Sequence, residues 1–379
     1  MLQRCRQMTT SDTSVTRVTT RKGTIRESRI ETSSTPDCGV DEVLLALCRF
    51  ALTSNNITYA TFGDQLDYWK YFPLEDAAWG QIPVWGFADV VASSVSGVEA
   101  GERFFGFFPL ASHVRMRPER VTARGFHDGA PHRRALNNAY NQYTRCSADP
   151  LYASERESLQ ALVRPLFLTS FLVADYLADN RFFGAARIAV SSASSKTAFG
   201  AAHCLAWHSD LELLAVTSAR SRSFVDGLGC YDHVVTYGEL ANVGNSDATV
   251  YLDFSGNEAL RAEVHSHFGA ALVYDCFVGS THNANFLPDG ELPGPETCFF
   301  FGPAQLRKRN AEWGRAEFAR RFNAAEQNFM RLLSVPGNPW IEIHESAGFP
   351  AAQRLLAELH EGTVEPKRGN VVLLDGVAG

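Results

Sequence analysis

From residue 187 onward the chain alternates short apolar runs with amphipathic stretches. Arg187-Ile-Ala-Val190 is a strand-like run that gives way to a turn of small residues, Ser191-Ser-Ala-Ser-Ser195. A helical pattern follows, with Ala198, Ala201, Ala202 and Leu205 along it. Further apolar runs over 211–217, 233–236, 248–254 and 270–277 read as strands, with helical patterns near 220–228 and over 257–268. Strands alternating with helices at this spacing imply right-handed βαβ units and a parallel sheet. A helix over 157–178, interrupted by Pro165, precedes this region. A loop insertion is expected over 279–303, one long charged helix over 305–333, then a strand (340–344), a helix (350–361) and a last strand (370–374).

The first third has another grammar. Residues 42–52 form a strand pair or one bent strand, 53–59 are polar, and 67–85 are dense in aromatics. Glycine-punctuated strand and turn signals then alternate through 84–117. No helical periodicity is evident before about residue 130. The predicted fold class is therefore α/β: a β-rich part, a doubly wound parallel sheet, and a short C-terminal piece.

Composition narrows the picture. At 379 residues two domains are the natural expectation. A net charge of −7 argues against a nucleic-acid or anionic-membrane surface. No apolar run approaches the roughly 20 residues that span a bilayer. Residues 1–22, rich in Thr, Ser and Arg with almost no acid, read as a disordered tail rather than a transit peptide. The 8 cysteines show no Cys-x-x-Cys spacing, so neither a zinc knuckle nor a redox pair is legible, and Cys48, Cys204 and Cys276 read as small core residues. A reducing, cytoplasmic setting and a small-molecule partner fit these features.

The order of elements and several short stretches resemble the medium-chain dehydrogenase/reductase superfamily. Val98-Glu-Ala-Gly-Glu-Arg-Phe-Phe-Gly106 is similar to its v-x-x-G-D-R-V-x-G turn. Ser191 to Ala198 lies where it carries x-G-A-x-G-G-V-G. Residues 227–237, ending in Tyr237, resemble x-L-G-A-D-x-V-I-D-Y, and 352–374 resemble its C-terminal tail. More narrowly, 53–60, 84–87 and 191–197 look like an uncharacterised branch catalogued as a domain of unknown function. The resemblance implies a GroES-like catalytic domain over 23–155, completed by 336–379, around a Rossmann domain over 156–335, and by analogy a homodimer. Where zinc-dependent members carry Gly-His-Glu this chain has Gly86-Phe87-Ala88, and their four-cysteine lobe is absent. The implied relatives are the zinc-free quinone and enoyl reductases, and no metal is expected.

The turn after residue 190 is the candidate cofactor site. Rossmann turns use glycine to let backbone approach a diphosphate; here Ser192, Ser194, Ser195 and Thr197 offer hydroxyls and Lys196 a positive charge. At the end of the second strand, where NAD enzymes keep an acid for the ribose, stand Thr217, Ser218, Arg220 and Arg222, which suit a 2′-phosphate. NADP(H) is thus preferred, with a solvated basic turn as the plain alternative. Tyr237 and the stretch holding Asp253 and Ser255 match places where relatives touch the cofactor.

In zinc-free relatives a polar N-x-x-D/Y segment lines the reacting centre. Here that is Asn55, Asn56, Thr58 and Tyr59, with Tyr59, Asn56 and Thr58 as catalytic candidates, although Tyr59 reads equally well as a core residue. Asn55, Trp69, Trp85, Tyr140 and Tyr143 are candidate substrate contacts, with core packing as the alternative for the tryptophans. The expected function is a zinc-independent, NADP(H)-dependent oxidoreductase acting on an activated C=C or C=O of a hydrophobic substrate. Two rivals stand beside it: a non-catalytic NADP-binding sensor or scaffold, and a P-loop-like nucleotidase read from Ser195-Lys196-Thr197. The nucleotidase lacks both glycines of its loop, Val190 and Ser195 standing in their places.

Overall fold

The computed structural model describes residues 14–34, 37–208, 210–279, 292–337 and 339–374. The chain opens with the hairpin β1 (Ser14–Arg21) and β2 (Thr24–Ser34), turned through Gly23 at φ 77°. The expected tail over 1–22 is corrected here: alternating Val and Thr residues give 14–21 strand character that the Ser/Thr-rich composition masked. Residues 1–13 lie outside the described residues.

β3 (Val43–Leu52) is one continuous strand that runs into helix α1 (Ser54–Thr61). Seven further strands complete the first half: β4 (Trp79–Gly80), β5 (Pro83–Ser93), β6 (Arg103–Pro109), β7 (His113–Met116), β8 (Pro118–Thr122), β9 (Gly125–Asp128) and β10 (Gln142–Arg145). Then α2 (Glu157–Asp179) leads to β11 (Arg187–Val190), α3 (Lys196–Leu205), β12 (Glu212–Thr217), α4 (Arg222–Leu228) and β13 (His233–Thr236). β14 (Thr249–Asp253), α5 (Glu258–Phe268), β15 (Leu272–Phe277), β16 (Thr297–Phe299), α6 (Gly302–Glu312) and α7 (Arg315–Leu333) follow. The chain closes with β17 (Glu342–Ala347), α8 (Gly348–Glu361) and β18 (Arg368–Leu373).

Three sheets result. β1, β2 and β4 form a small antiparallel one. β17-β18-β3-β5-β6-β10-β9-β8, with β7 against β3, form the large one, so the C-terminal strands complete the sheet of the first half. The third, β13-β12-β11-β14-β15-β16, is parallel throughout, the doubly wound order.

Helix α2 bridges the two halves, packing on β3, β5 and β18 on one side and on α3, α6 and α7 on the other. Contrary to the reading of the apolar runs, its mean hydropathy of 1.4 over a long window matches a membrane span by composition; the reason is that it is walled by protein on several sides. Gly200 of α3 permits the close crossing, since a Cβ there would sit 2.6 Å from Ser170 Oγ. Two other expectations change. The long charged helix is broken into α6 and α7 at Gly314, φ 80°, and the 279–303 insertion contains β16, while 280–291 lie outside the described residues.

Candidate cofactor and substrate site

In a doubly wound sheet the chain leaves adjacent central strands toward opposite faces and opens a crevice beyond their C-terminal ends. Here those strands are β11 and β14. The turn after β11 places Ser192 at φ 45°, a left-handed conformation that glycine adopts more readily. Ser195 caps α3, its Oγ accepting from Ala198 N at 3.2 Å. The turn is tied to the sheet by Ala193, whose N donates to Val216 O (3.3 Å) and whose O accepts from Tyr231 Oη (3.0 Å). The first-turn amides of α3, Lys196 and Thr197, have no preceding carbonyl to bond, and the positive end of the helix faces the crevice. Amides and a helix dipole disposed in this way can receive an anion without glycine. Tyr237 reaches this turn, its hydroxyl close to Ser192 and held above the usual phenol range by burial. Ser194 and Thr197 are half-buried in the same turn, and the Thr197 carbonyl accepts from Ser170 Oγ at 2.7 Å.

The basic residues are placed differently from the expectation. Lys196 does not turn back into the crevice: its ammonium donates to Pro366 O (2.8 Å) and Arg368 O (2.9 Å), and burial lowers its pKa to about 8. Arg222 pairs with Glu239, at 2.6 Å. The Lys196 assignment is corrected because two carbonyls take its ammonium, whereas Arg222 gives Glu239 one Nη1 of its fork. Arg220 is exposed at the end of β12 and spends one Nη2 bond on Thr363 O (3.0 Å), leaving donors of its fork for another group. Ser218 caps the turn beside it, accepting from Ser221 N at 3.3 Å. Thr217 is buried, and its hydroxyl has no partner among the described residues.

Asp253 is not available to a ribose. Its Oδ1 accepts from Ser191 Oγ (2.6 Å), Ser255 N (2.8 Å), Ser255 Oγ (2.7 Å) and Gly256 N (3.1 Å), while Oδ2 pairs with the buried Arg261. Ser255 is consumed in the same knot, and Ser191 Oγ also accepts from Phe254 N at 2.9 Å. These bonds lock the ends of β11 and β14 together, a structural role that corrects the cofactor role given to Asp253 and Ser255. Behind the knot, Arg261 faces Asp275 (3.5 Å), which also meets His265 Nε2 (3.0 Å) and Thr297 Oγ1 (2.6 Å). None of Arg261, His265 and Asp275 was legible as a unit, because their pairing depends on the sheet register.

The second part of the site is the α1 face. Thr53 and Asn56 form a capping box: Asn56 Oδ1 accepts from Thr53 N (2.8 Å) while its Nδ2 donates to Pro83 O (2.9 Å). With both ends used and burial nearly complete, Asn56 is a structural cap and not a catalytic group. Thr58 Oγ1 donates back to Ser54 O at 3.4 Å, so its hydroxyl serves the helix. Tyr59 is different. Its oxygen accepts from Asn55 Nδ2 (2.7 Å) and Trp85 Nε1 (3.1 Å), so its own proton is left for a third group, and no acceptor among the described residues takes it. Burial holds this phenol well above its ordinary value, the neighbouring Tyr140 adds to the effect, and the Trp85 and Asn55 donors oppose it.

Tyr59 lies in an aromatic wall with Tyr68 (ring centroids 4.5 Å), Phe107 (5.4 Å) and Tyr140 (6.4 Å), and the Tyr68 and Tyr140 hydroxyls meet at 3.1 Å. Tyr68 was missed, hidden in the aromatic-dense stretch 67–85. Two substrate candidates are corrected. Trp69 is buried over Gly63 and Gly80, where added Cβ atoms would fall 2.1 Å and 2.4 Å from its ring. Tyr143 is fully buried, donating to Phe107 O (2.6 Å) and accepting from Arg133 Nη1 (2.9 Å). Trp85 and Tyr140 are half-buried, and Trp85 touches the cores of both halves. The two parts of the site meet at β18: Asn370 pairs with Leu52, just before α1, and Arg368, two residues earlier, holds Lys196.

The family description "Protein of unknown function (DUF2855)" matches residues 50–365. The chain belongs to the DUF2855 family. No curated protein sequence matches it. Among solved structures, this DUF2855 chain is similar to CurA from Vibrio vulnificus in complex with NADPH, at 13% identity and a TM-score of 0.60, covering 95% of this chain and 99% of that one. It is also similar to the yhdH oxidoreductase from Salmonella enterica in complex with NADP (12%, TM-score 0.54, 95% and 99%) and to the CurK enoyl reductase (14%, TM-score 0.54, 95% and 99%). At such identities the likeness is one of fold. The DUF2855 chain has the GroES-like plus Rossmann architecture of the medium-chain reductases.

Proposed function

We propose that the protein is a zinc-independent, NADP(H)-dependent oxidoreductase that acts on an activated C=C or C=O of a small or medium hydrophobic substrate. The observation that carries this reading is the switch-point turn: Ser192 in a glycine-like conformation, the start of α3 beyond it, and Arg220 at the end of the next strand with no acid in that stretch. The residues present fit the cofactor: first-turn amides and Ser194 for the diphosphate, Arg220 for a 2′-phosphate. That similar folds from Vibrio vulnificus and Salmonella enterica bind NADPH and NADP supports the assignment. Phe87 stands in the place of a zinc ligand and packs on Phe105 at 5.2 Å, which supports zinc independence.

A bound reduced nicotinamide supplies a hydride. The chain supplies a proton and an orientation. Tyr59, fixed by Asn55 and Trp85, gives its unclaimed proton to the substrate oxygen or enolate, and the Tyr68, Tyr140 and Trp85 rings hold an apolar substrate against it. A cytoplasmic setting and a homodimer belong to the same proposal. The burial of Tyr59 favours, as a second reading, a non-catalytic NADP-binding protein.

Incubating the purified protein with NADPH and a panel of quinones, enones and aldehydes, and following nicotinamide absorbance, separates the two. Turnover of at least one class is expected, with Y59F lowering kcat by about 10²–10⁴-fold. Tight NADPH binding without oxidation by any of the panel would establish the non-catalytic reading instead.

A further inference from the structure

Strands β15 and β16 set Cys276 and Cys298 directly opposite each other at the edge of the parallel sheet. Neighbouring strands lie about 4.7–4.9 Å apart, and a disulfide bridges Cα atoms about 4.4–6.8 Å apart, so the register brings the two Cα atoms within the span of a disulfide. Paired residues on adjacent strands also present their side chains to one face. The surroundings agree: the Tyr274 hydroxyl, two residues before Cys276, lies close to Cys298, and both thiols lie near the Tyr176 hydroxyl. Tyr274 is itself held by Tyr176 Oη at 2.7 Å and by stacking on Phe183 at 3.8 Å between centroids, which gives the pair a rigid floor.

The two cysteines are unequal. Cys298 is exposed on a short edge strand, whereas Cys276 is fully buried, and burial with the Asp275 charge pushes its thiol well up. Among the described residues no other cysteine has a cysteine opposite it on a neighbouring strand; burial pushes the buried Cys146 and Cys204 and the half-buried Cys48 and Cys230 each to about 12. In the sequence the pair is hidden, since no short spacing links positions 276 and 298. Only the sheet joins them.

We propose that Cys276 and Cys298 form a peroxide-sensitive dithiol site, with Cys298 as the attacking and Cys276 as the resolving thiol. The Cys298 sulfur attacks one oxygen of hydrogen peroxide; the O–O bond breaks, water leaves, and Cys298 becomes a sulfenic acid. The Cys276 sulfur then attacks that sulfur; the S–O bond breaks and a second water leaves. Two thiols lose two electrons to one peroxide, and the product is a Cys276–Cys298 disulfide that pins β16 to β15. Reduction by an added dithiol restores the pair.

The test uses the full chain treated with hydrogen peroxide at about one equivalent, since a single peroxide closes one disulfide. A protease that cuts after glutamate separates the two cysteines at Glu291 and Glu296 before mass spectrometry without reduction. A linked Cys276–Cys298 peptide pair, the loss of two titratable thiols and their return with dithiothreitol are expected. C298S is expected to keep all its thiols, and C276S to stop at a Cys298 sulfenic acid trapped by dimedone. Cys298 oxidised to sulfenic or sulfinic acid in the wild type while Cys276 stays reduced would overturn the proposal, as would Cys298 linked to a second chain.

Discussion

Lys196 carries its charge to a place where two carbonyls meet it and burial opposes it, which lowers its pKa to about 8. In the unfolded chain a lysine titrates near about 10.4. Below about pH 8 both states are protonated and the full cost of burying the charge is present. Between about 8 and 10.4 the unfolded chain binds more protons than the native one, so this site's contribution to stability rises with pH. Urea unfolding of wild type and K196M at about pH 7 and about pH 9.5 should therefore show wild type gaining on the order of 1–2 kcal/mol relative to the variant. A difference unchanged by pH would contradict an ammonium that burial, without a carboxylate partner, has shifted. At the same scale, Trp85 acts through Tyr59. W85F removes one donor from the phenol, so it is expected to lower kcat and shift its alkaline limb upward while leaving the KM for NADPH unchanged.

Among the elements, the knot of Asp253, Arg261, Asp275 and His265 holds the central crevice in shape. Both ring nitrogens of His265 face acceptors, the Asp275 carboxylate and Pro293 O (2.8 Å), an arrangement that favours the protonated ring beside Arg261 and the two carboxylates. Burial alone would lower the His265 pKa, but the Asp275 and Pro293 bonds raise it. Removing one member leaves a buried charge uncompensated. R261M is expected to cost about 3–5 kcal/mol in chemical denaturation, and a cost below about 1 kcal/mol would show that the knot does not carry the sheet.

The βαβ alternation was legible from periodicity because its central strands β11, β12 and β14 are buried on both faces and so read as short apolar runs between helical patterns. Helix α1 was not: with 8 residues and a polar sequence it rests on its capping box and on packing with α8 and β5, which periodicity does not reveal. The knot was equally hidden. Asp253 and Arg261 lie on different elements, and nothing short of the sheet order shows that Asp253 is saturated. The sequence places hydroxyl and basic residues around the turn after β11, but it does not show that Lys196 turns to Pro366 O and Arg368 O and that Arg222 turns to Glu239.

For the molecule as a whole, the C-terminal strands return to the first sheet, so the loop carrying Thr363, Pro366 and Arg368 is set against the Rossmann turn by Arg220 and Lys196. The turn after β11 and the α1 face are thereby fixed to each other through β18. Arg220 stands at this joint, and R220A is expected to weaken NADPH binding about tenfold or more, consistent with one lost charge-assisted contact, without altering NADH binding. The central claim, that this turn is an NADP(H) site, is tested most directly by titrating the purified protein with NADPH and NADH and following nucleotide fluorescence. Saturable NADPH binding, tighter than NADH, is the expected result; binding of neither nucleotide, or a preference for NADH, would contradict it.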